Sequence, residues 1–175
     1  MSTESSPDAL GLSHRVLRVL IKLNWLLGFL ILALLVASLV SSGPVFGALG
    51  IAPSENSARL AVGMRLIMVL GIIGVPITNT VLSRLLAIVD TVADGDPFVA
   101  ENARRLRSIA WAVLGLEVLH LAVVAVAANV STPKTPIDIR WDFSFTRWLC
   151  VLLLFVLARV FEQGARMRDD LEGTV

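Results

Sequence analysis

The chain has one cysteine, two histidines and no tyrosine in 175 residues. A lone Cys150 excludes an internal disulfide framework and a cysteine-based metal site. His14 and His120 belong to different parts of the chain, the first in a polar arm, so no histidine cluster stands in for the missing thiols. Charge is also scarce: 17% of residues are charged against 56% hydrophobic, with a mean hydropathy of +0.81. That balance excludes an ordinary soluble globular domain. No recognised catalytic signature is present, so neither an enzyme activity nor a cofactor nor a metal is expected.

What fills the chain instead is four apolar stretches, about 23–40, 66–89, 108–130 and 145–161, each long enough to cross a bilayer. The expected fold is an all-α membrane protein with four transmembrane helices in an antiparallel bundle, one domain over 15–175 preceded by a disordered arm over 1–14. The first run follows Arg15, Arg18 and Lys22, as a signal peptide would, but it is longer than a typical signal core and three more runs follow, which favours a retained helix.

Positive charge orients the spans. The N-terminal arm, the second connection with its helix ends, and the C-terminal end carry ten of the 15 Lys and Arg residues. Only Arg59, Arg65, Lys134, Arg140 and Arg147 fall on the other side. Both termini are therefore expected in the cytoplasm and the first and third connections in the periplasm.

The first connection is broken by Gly43-Pro44, Gly47, Gly50 and Pro53. The third alternates Ile137, Ile139, Trp141, Phe143 and Phe145 with polar residues, the period of a half-buried strand. Two alternatives follow: a small two-stranded periplasmic cap formed with Val45–Ile51, or an extended interfacial loop anchored by Trp141 and Trp148. The second connection is short. Asp96 is expected to cap a third helix and Pro97 to occupy its first position, where the missing N–H costs nothing. Such a helix, running to Val130, exceeds the ~30 Å hydrocarbon core and must project beyond the membrane. Its projecting turns carry Glu101, Asn102, Arg104, Arg105 and Arg107, and the fourth helix extends past Glu162, Arg166 and Asp169.

The segment Gly95-Asp96-Pro97-Phe98-Val99-Ala100-Glu101-Asn102-Ala103-Arg104-Arg105-Leu106-Arg107 and the ending from Phe161-Glu162-Gln163-Gly164 to Gly173-Thr174-Val175 resemble the bacterial membrane proteins grouped as domain of unknown function 2975. The shared features are four spans, a G-x-P-F-x-x-x-N-x-x-R-L-R type turn and a closing run ending in Thr-Val, although Met167 stands where leucine is commoner. The resemblance implies a bacterial inner-membrane setting and supplies no activity. Family members often neighbour small helix-turn-helix regulators, which implies a sensing or regulatory partnership.

Two candidate sites emerge. Glu117 and His120 share a face near the middle of the third span, and Asn79 falls at comparable depth on the second, where Pro76 would open room beside Glu117. These three form either a proton relay or interhelical glue. The other candidate is a cytoplasmic interaction face of Asp96, Glu101, Asn102, Arg104, Arg105, Arg107, Arg166 and Asp169, with an acidic tail (Asp169, Asp170, Glu172) locking onto the basic helix, or the same charges merely ringing the interface. The functional expectation is a membrane interaction or regulatory module; the alternative is a small oligomeric transporter or channel. The lipid bilayer, further copies of the chain and a membrane or cytoplasmic regulatory protein are the expected partners, and nucleic acid is not.

Overall fold

The computed structural model describes residues 7–40, 57–131 and 145–172. They form four helices, α1 (Pro7–Val40), α2 (Ser57–Ala93), α3 (Ala100–Val130) and α4 (Phe145–Glu172). All four are long and apolar enough to cross a membrane. In hydrocarbon a helix satisfies its backbone within itself, so the apolar runs have no competing local structure. No strand occurs among the described residues. The proposed two-stranded cap lies outside them and is not supported; only Phe145, its last residue, is described, and it opens α4.

α1 starts earlier than expected. Residues 7–14, assigned above to a disordered arm, form its first two turns. Pro7 sits at the first helical position, where a missing N–H is harmless. Nine residues before the apolar run, His14 Nδ1 lies 2.9 Å from Asp90 Oδ1 of α2, which ties the arm down.

The helices pack as a sequence rather than as a closed bundle. α1 packs on α2, α2 on α3 and α3 on α4, and no other pair has more than marginal contact among the described residues. Neighbours are antiparallel: His14 meets Asp90 near one end of the α1/α2 pair, and Arg65 donates to the Ser38 carbonyl at the other, at 2.6 Å. The chain ends of α1 and α4 and the α2–α3 turn thus share one end of the layer, called here the terminal end. Small residues set the close spacing between helices, as membrane interfaces require. Ala103, Ala110, Ala158 and Ala165 are buried between α3 and its neighbours, and Gly28 backs directly onto Val75 between α1 and α2. α1 and α4, at the edges of the layer, leave Phe29, Leu30, Leu152 and Val156 facing outward toward lipid.

The α2–α3 turn differs from the expected one. Gly95 adopts φ +84°, its N–H bonds the Val92 carbonyl at 3.1 Å, and the Asp96 N–H bonds the Thr91 carbonyl at 2.9 Å. This is a Schellman ending of α2, which a Cβ at position 95 would strain. α3 then starts at Ala100, three residues later than Pro97, with extended Val99 as its cap and no side-chain cap from Asp96. The non-helical Pro97-Phe98-Val99 stretch instead places Phe98 on Phe161 of α4, with ring centroids 5.3 Å apart.

Candidate functional site

The terminal end gathers most of the predicted interaction residues. Asn102 is fully buried, and its amide Nδ2 donates to Thr91 Oγ1 at 2.7 Å and to the Pro97 carbonyl at 2.9 Å. Its Oδ1 accepts from Arg105 Nη1 at 2.8 Å, and the same Nη1 donates to the Ala87 carbonyl at 3.1 Å. One amide therefore ties together the end of α2, the α2–α3 turn and the first turns of α3. Arg105 Nε is buried without a hydrogen bond, and the Glu101 carboxylate 3.9 Å away supplies only charge. These two residues hold the turn in shape and are not free to meet a partner.

The remaining charges face outward. Arg104 Nε donates to Glu101 Oε2 at 2.9 Å. That hydrogen bond and the Arg104 charge hold the Glu101 carboxyl below its ordinary value, with Arg105 and Arg84 adding to the effect and desolvation opposing it. Between α3 and α4, Arg107 donates to Glu162 at 3.0 Å, and Arg168 pairs with Asp96 across the turn. The pairs joining the turn and α3 to α4 are thus not those expected of Asp169, Asp170 and Glu172. In one of the two the arginine comes from the tail and the acid from the turn, reversing the anticipated polarity. The Asp169 side chain lies outside the described residues. Arg166, in the predicted set, bonds Glu162 at 2.9 Å within α4.

Glu162 is the residue the sequence reading undervalued. Arg107, Arg159 and Arg166 all approach its carboxylate, at 3.0, 3.5 and 2.9 Å. The i,i+3 and i,i+4 spacing of Arg159 and Arg166 about Glu162 was legible; the arrival of Arg107 from α3 depends on how the two helices align. A cleft of about 360 Å³ opens here, lined by Ala100, Ala103, Arg104, Arg107, Glu162 and Arg166.

A family model described as a protein of unknown function, DUF2975, matches residues 34–175. The chain belongs to the DUF2975 family. The match takes in the turn, the tail and every residue of both candidate sites. No curated protein and no solved structure matches the chain.

In this DUF2975 protein the intramembrane candidates do not converge. Asn79 Oδ1 accepts from the Trp25 indole at 3.1 Å, which turns it toward α1. Beside it Asn24 Nδ2 donates to the Val75 carbonyl at 3.0 Å, so two α1 side chains clamp α2 around Pro76. The room next to Pro76 is a groove of about 300 Å³ lined by Trp25, Gly28, Phe29, Leu32 and Ile72, on the α1 side of α2 and away from Glu117. Glu117 faces the other way and pairs with Arg147 Nη1 of α4 at 3.5 Å. His120 makes no hydrogen bond to either Asn79 or Glu117 among the described residues. Among those residues no group of three metal-ligating side chains gathers.

Arg147, read from sequence as an external residue, stands opposite a position well inside α3. Ten residues, or about 15 Å, separate Glu117 from Arg107 and thirteen, about 20 Å, from Val130. Charges at such a depth are rare and are retained only when paired.

Proposed function

We propose that this DUF2975 protein is a non-enzymatic inner-membrane module whose terminal end faces the cytoplasm and presents a preformed surface to a regulatory protein. The excess of Lys and Arg at that end supports the orientation. One observation carries the functional reading: turn and tail are joined by two ion pairs and an aromatic contact, Arg107–Glu162, Arg168–Asp96 and Phe98–Phe161. Joining them presents Arg104 and Arg166 on one rigid face, so a partner binds without first ordering two separate segments. Asn102 and Arg105 hold the scaffold, and Arg104, Arg107 and Arg166 supply the contacts.

The test is crosslinking in the membrane, then mild-detergent purification of a tagged copy at native expression, for wild type and Arg104→Glu. A foreign protein recovered stoichiometrically with wild type and lost with Arg104→Glu is the expected result. Equal recovery with both removes Arg104 from the surface, and recovery of the chain alone counts against a protein partner.

The Glu117–Arg147 pair favours a second reading, a small oligomeric transporter or channel. It has lost Asn79 to Trp25, and the pair also serves as interhelical glue. In reconstituted vesicles Glu117→Gln abolishes proton-coupled flux under the transporter reading and leaves it unchanged under the glue reading. Glue makes a further demand: Arg147→Gln, which strands Glu117, destabilises by roughly the 2.5–3.5 kcal/mol of a lone central charge, while the Glu117→Gln/Arg147→Gln double variant recovers much of it.

A further inference from the structure

We infer that the cleft between α3 and α4 at the terminal end binds the phosphate of an anionic glycerophospholipid. Three guanidiniums, Arg107, Arg159 and Arg166, converge on the single carboxylate of Glu162. Arg104, on the cleft wall, is balanced by Glu101. One carboxylate cancels one of three charges, so the cluster keeps a positive excess. Each guanidinium has five N–H donors in a planar fork suited to phosphate, and few are used. Of the three, Arg107 and Arg166 line the cleft; their side chains remain 54% and 74% exposed while the Glu162 side chain is 26% exposed, so the acid lies deeper in the cleft than its donors. Ala100, Ala103 and Ala165 add walls without bulk, and 360 Å³ falls within the ~300–1,000 Å³ of small-molecule sites.

The surroundings choose lipid over free phosphate. One turn deeper, on the same faces, Trp111 follows Arg107 by four residues and Phe155 precedes Arg159 by four. The two rings meet edge to face at 5.3 Å. Trp111 is 61% exposed, on the outward face of an apolar helix, where an indole marks the headgroup boundary. A phosphate in the cleft thus has its acyl chains continuing over an aromatic wall into hydrocarbon. A lipid occupying the cleft shares residues with the partner-binding face proposed above but does not depend on a partner.

The test takes the full chain in mild detergent with equal amounts of phosphatidylglycerol and phosphatidylcholine of matched chains, counting retained lipids by native mass spectrometry. Wild type retains phosphatidylglycerol preferentially. Arg166→Gln lowers that retention about fivefold, the effect of one arginine at an anionic surface, and Arg107→Gln does so again. Arg166→Gln loses only an intrahelical pair, so its fold is intact, and Arg15→Gln at the far edge of the layer leaves retention unchanged. Retention unaltered by Arg166→Gln and Arg107→Gln overturns the site. Binding of inorganic phosphate without headgroup preference overturns the lipid assignment. No protein partner is present in this assay, so its failure and the failure of partner capture are separate results.

Discussion

Replacing Asn102 by alanine is the sharpest perturbation of the terminal end. The side chain is fully buried and makes three hydrogen bonds, to Thr91, Pro97 and Arg105. Alanine removes all three. Thr91 keeps its bond to the Ile88 carbonyl and Arg105 keeps the Ala87 carbonyl, but the Pro97 carbonyl loses this donor. At about 1 kcal/mol per bond, with an added penalty for a stranded acceptor, the loss is about 2–4 kcal/mol. That corresponds to roughly a 30- to 1,000-fold shift in the opening equilibrium of the turn. Hydrogen exchange read by mass spectrometry over Asp94–Asp96 reports it directly, because those three N–H groups bond within the turn. Asn102→Ala is expected to lose protection there by at least the lower figure, and Thr91→Val, which removes one of the three bonds, by less. Unchanged protection of Asp94–Asp96 in Asn102→Ala would refute the claim that this amide holds the turn.

Two further outcomes follow from the same geometry. A Cβ added at Gly28 would stand 2.8 Å from Val75 Cγ2, a stiff β-branched neighbour, so Gly28→Ala is expected to destabilise the α1/α2 pair by about 1–3 kcal/mol, and Val75→Ala on top to recover part of it, both read from unfolding in bicelles. Glu101 has its carboxyl held low mainly by the hydrogen bond from Arg104, so its contribution is present at neutral pH and is lost as pH falls through and below the ordinary carboxylate range. In a carbon-detected NMR titration of micelles, Arg104→Gln is expected to move the Glu101 midpoint upward, and an unmoved midpoint would assign the shift to Arg105 and Arg84.

Much of the architecture was legible because lipid makes the code simple. Apolar length alone decides where helices stand, and spacing along a helix decides which neighbours of Glu162 or Glu101 share a face. The turn was half legible: Asp94-Gly95 announces the end of α2, but Asp96-Pro97 also matches a helix start, and local rules do not say which reading prevails. Packing of Phe98 on Phe161 accompanies the later start and leaves Asp96 facing Arg168. The partners of the intramembrane residues were not legible for a related reason. Glu117, His120 and Asn79 share a depth, and depth is additive along a chain, but the direction each side chain takes around its helix axis matters only relative to a neighbour.

By itself, then, the sequence determined four helices, their order and alternating direction, the apolar surfaces that face lipid and the gathering of arginines at one end, since each follows from transfer free energy or from periodicity within one segment. Only the tertiary structure decided that the helices lie in a row, that Asn79 turns to Trp25 and Glu117 to Arg147, and that Arg107 completes the cluster on Glu162. Those pairings depend on the rotation and register of one helix against the next, which are fixed where Gly28 meets Val75 and where alanines bring α3 and α4 together, contacts between segments far apart in the chain.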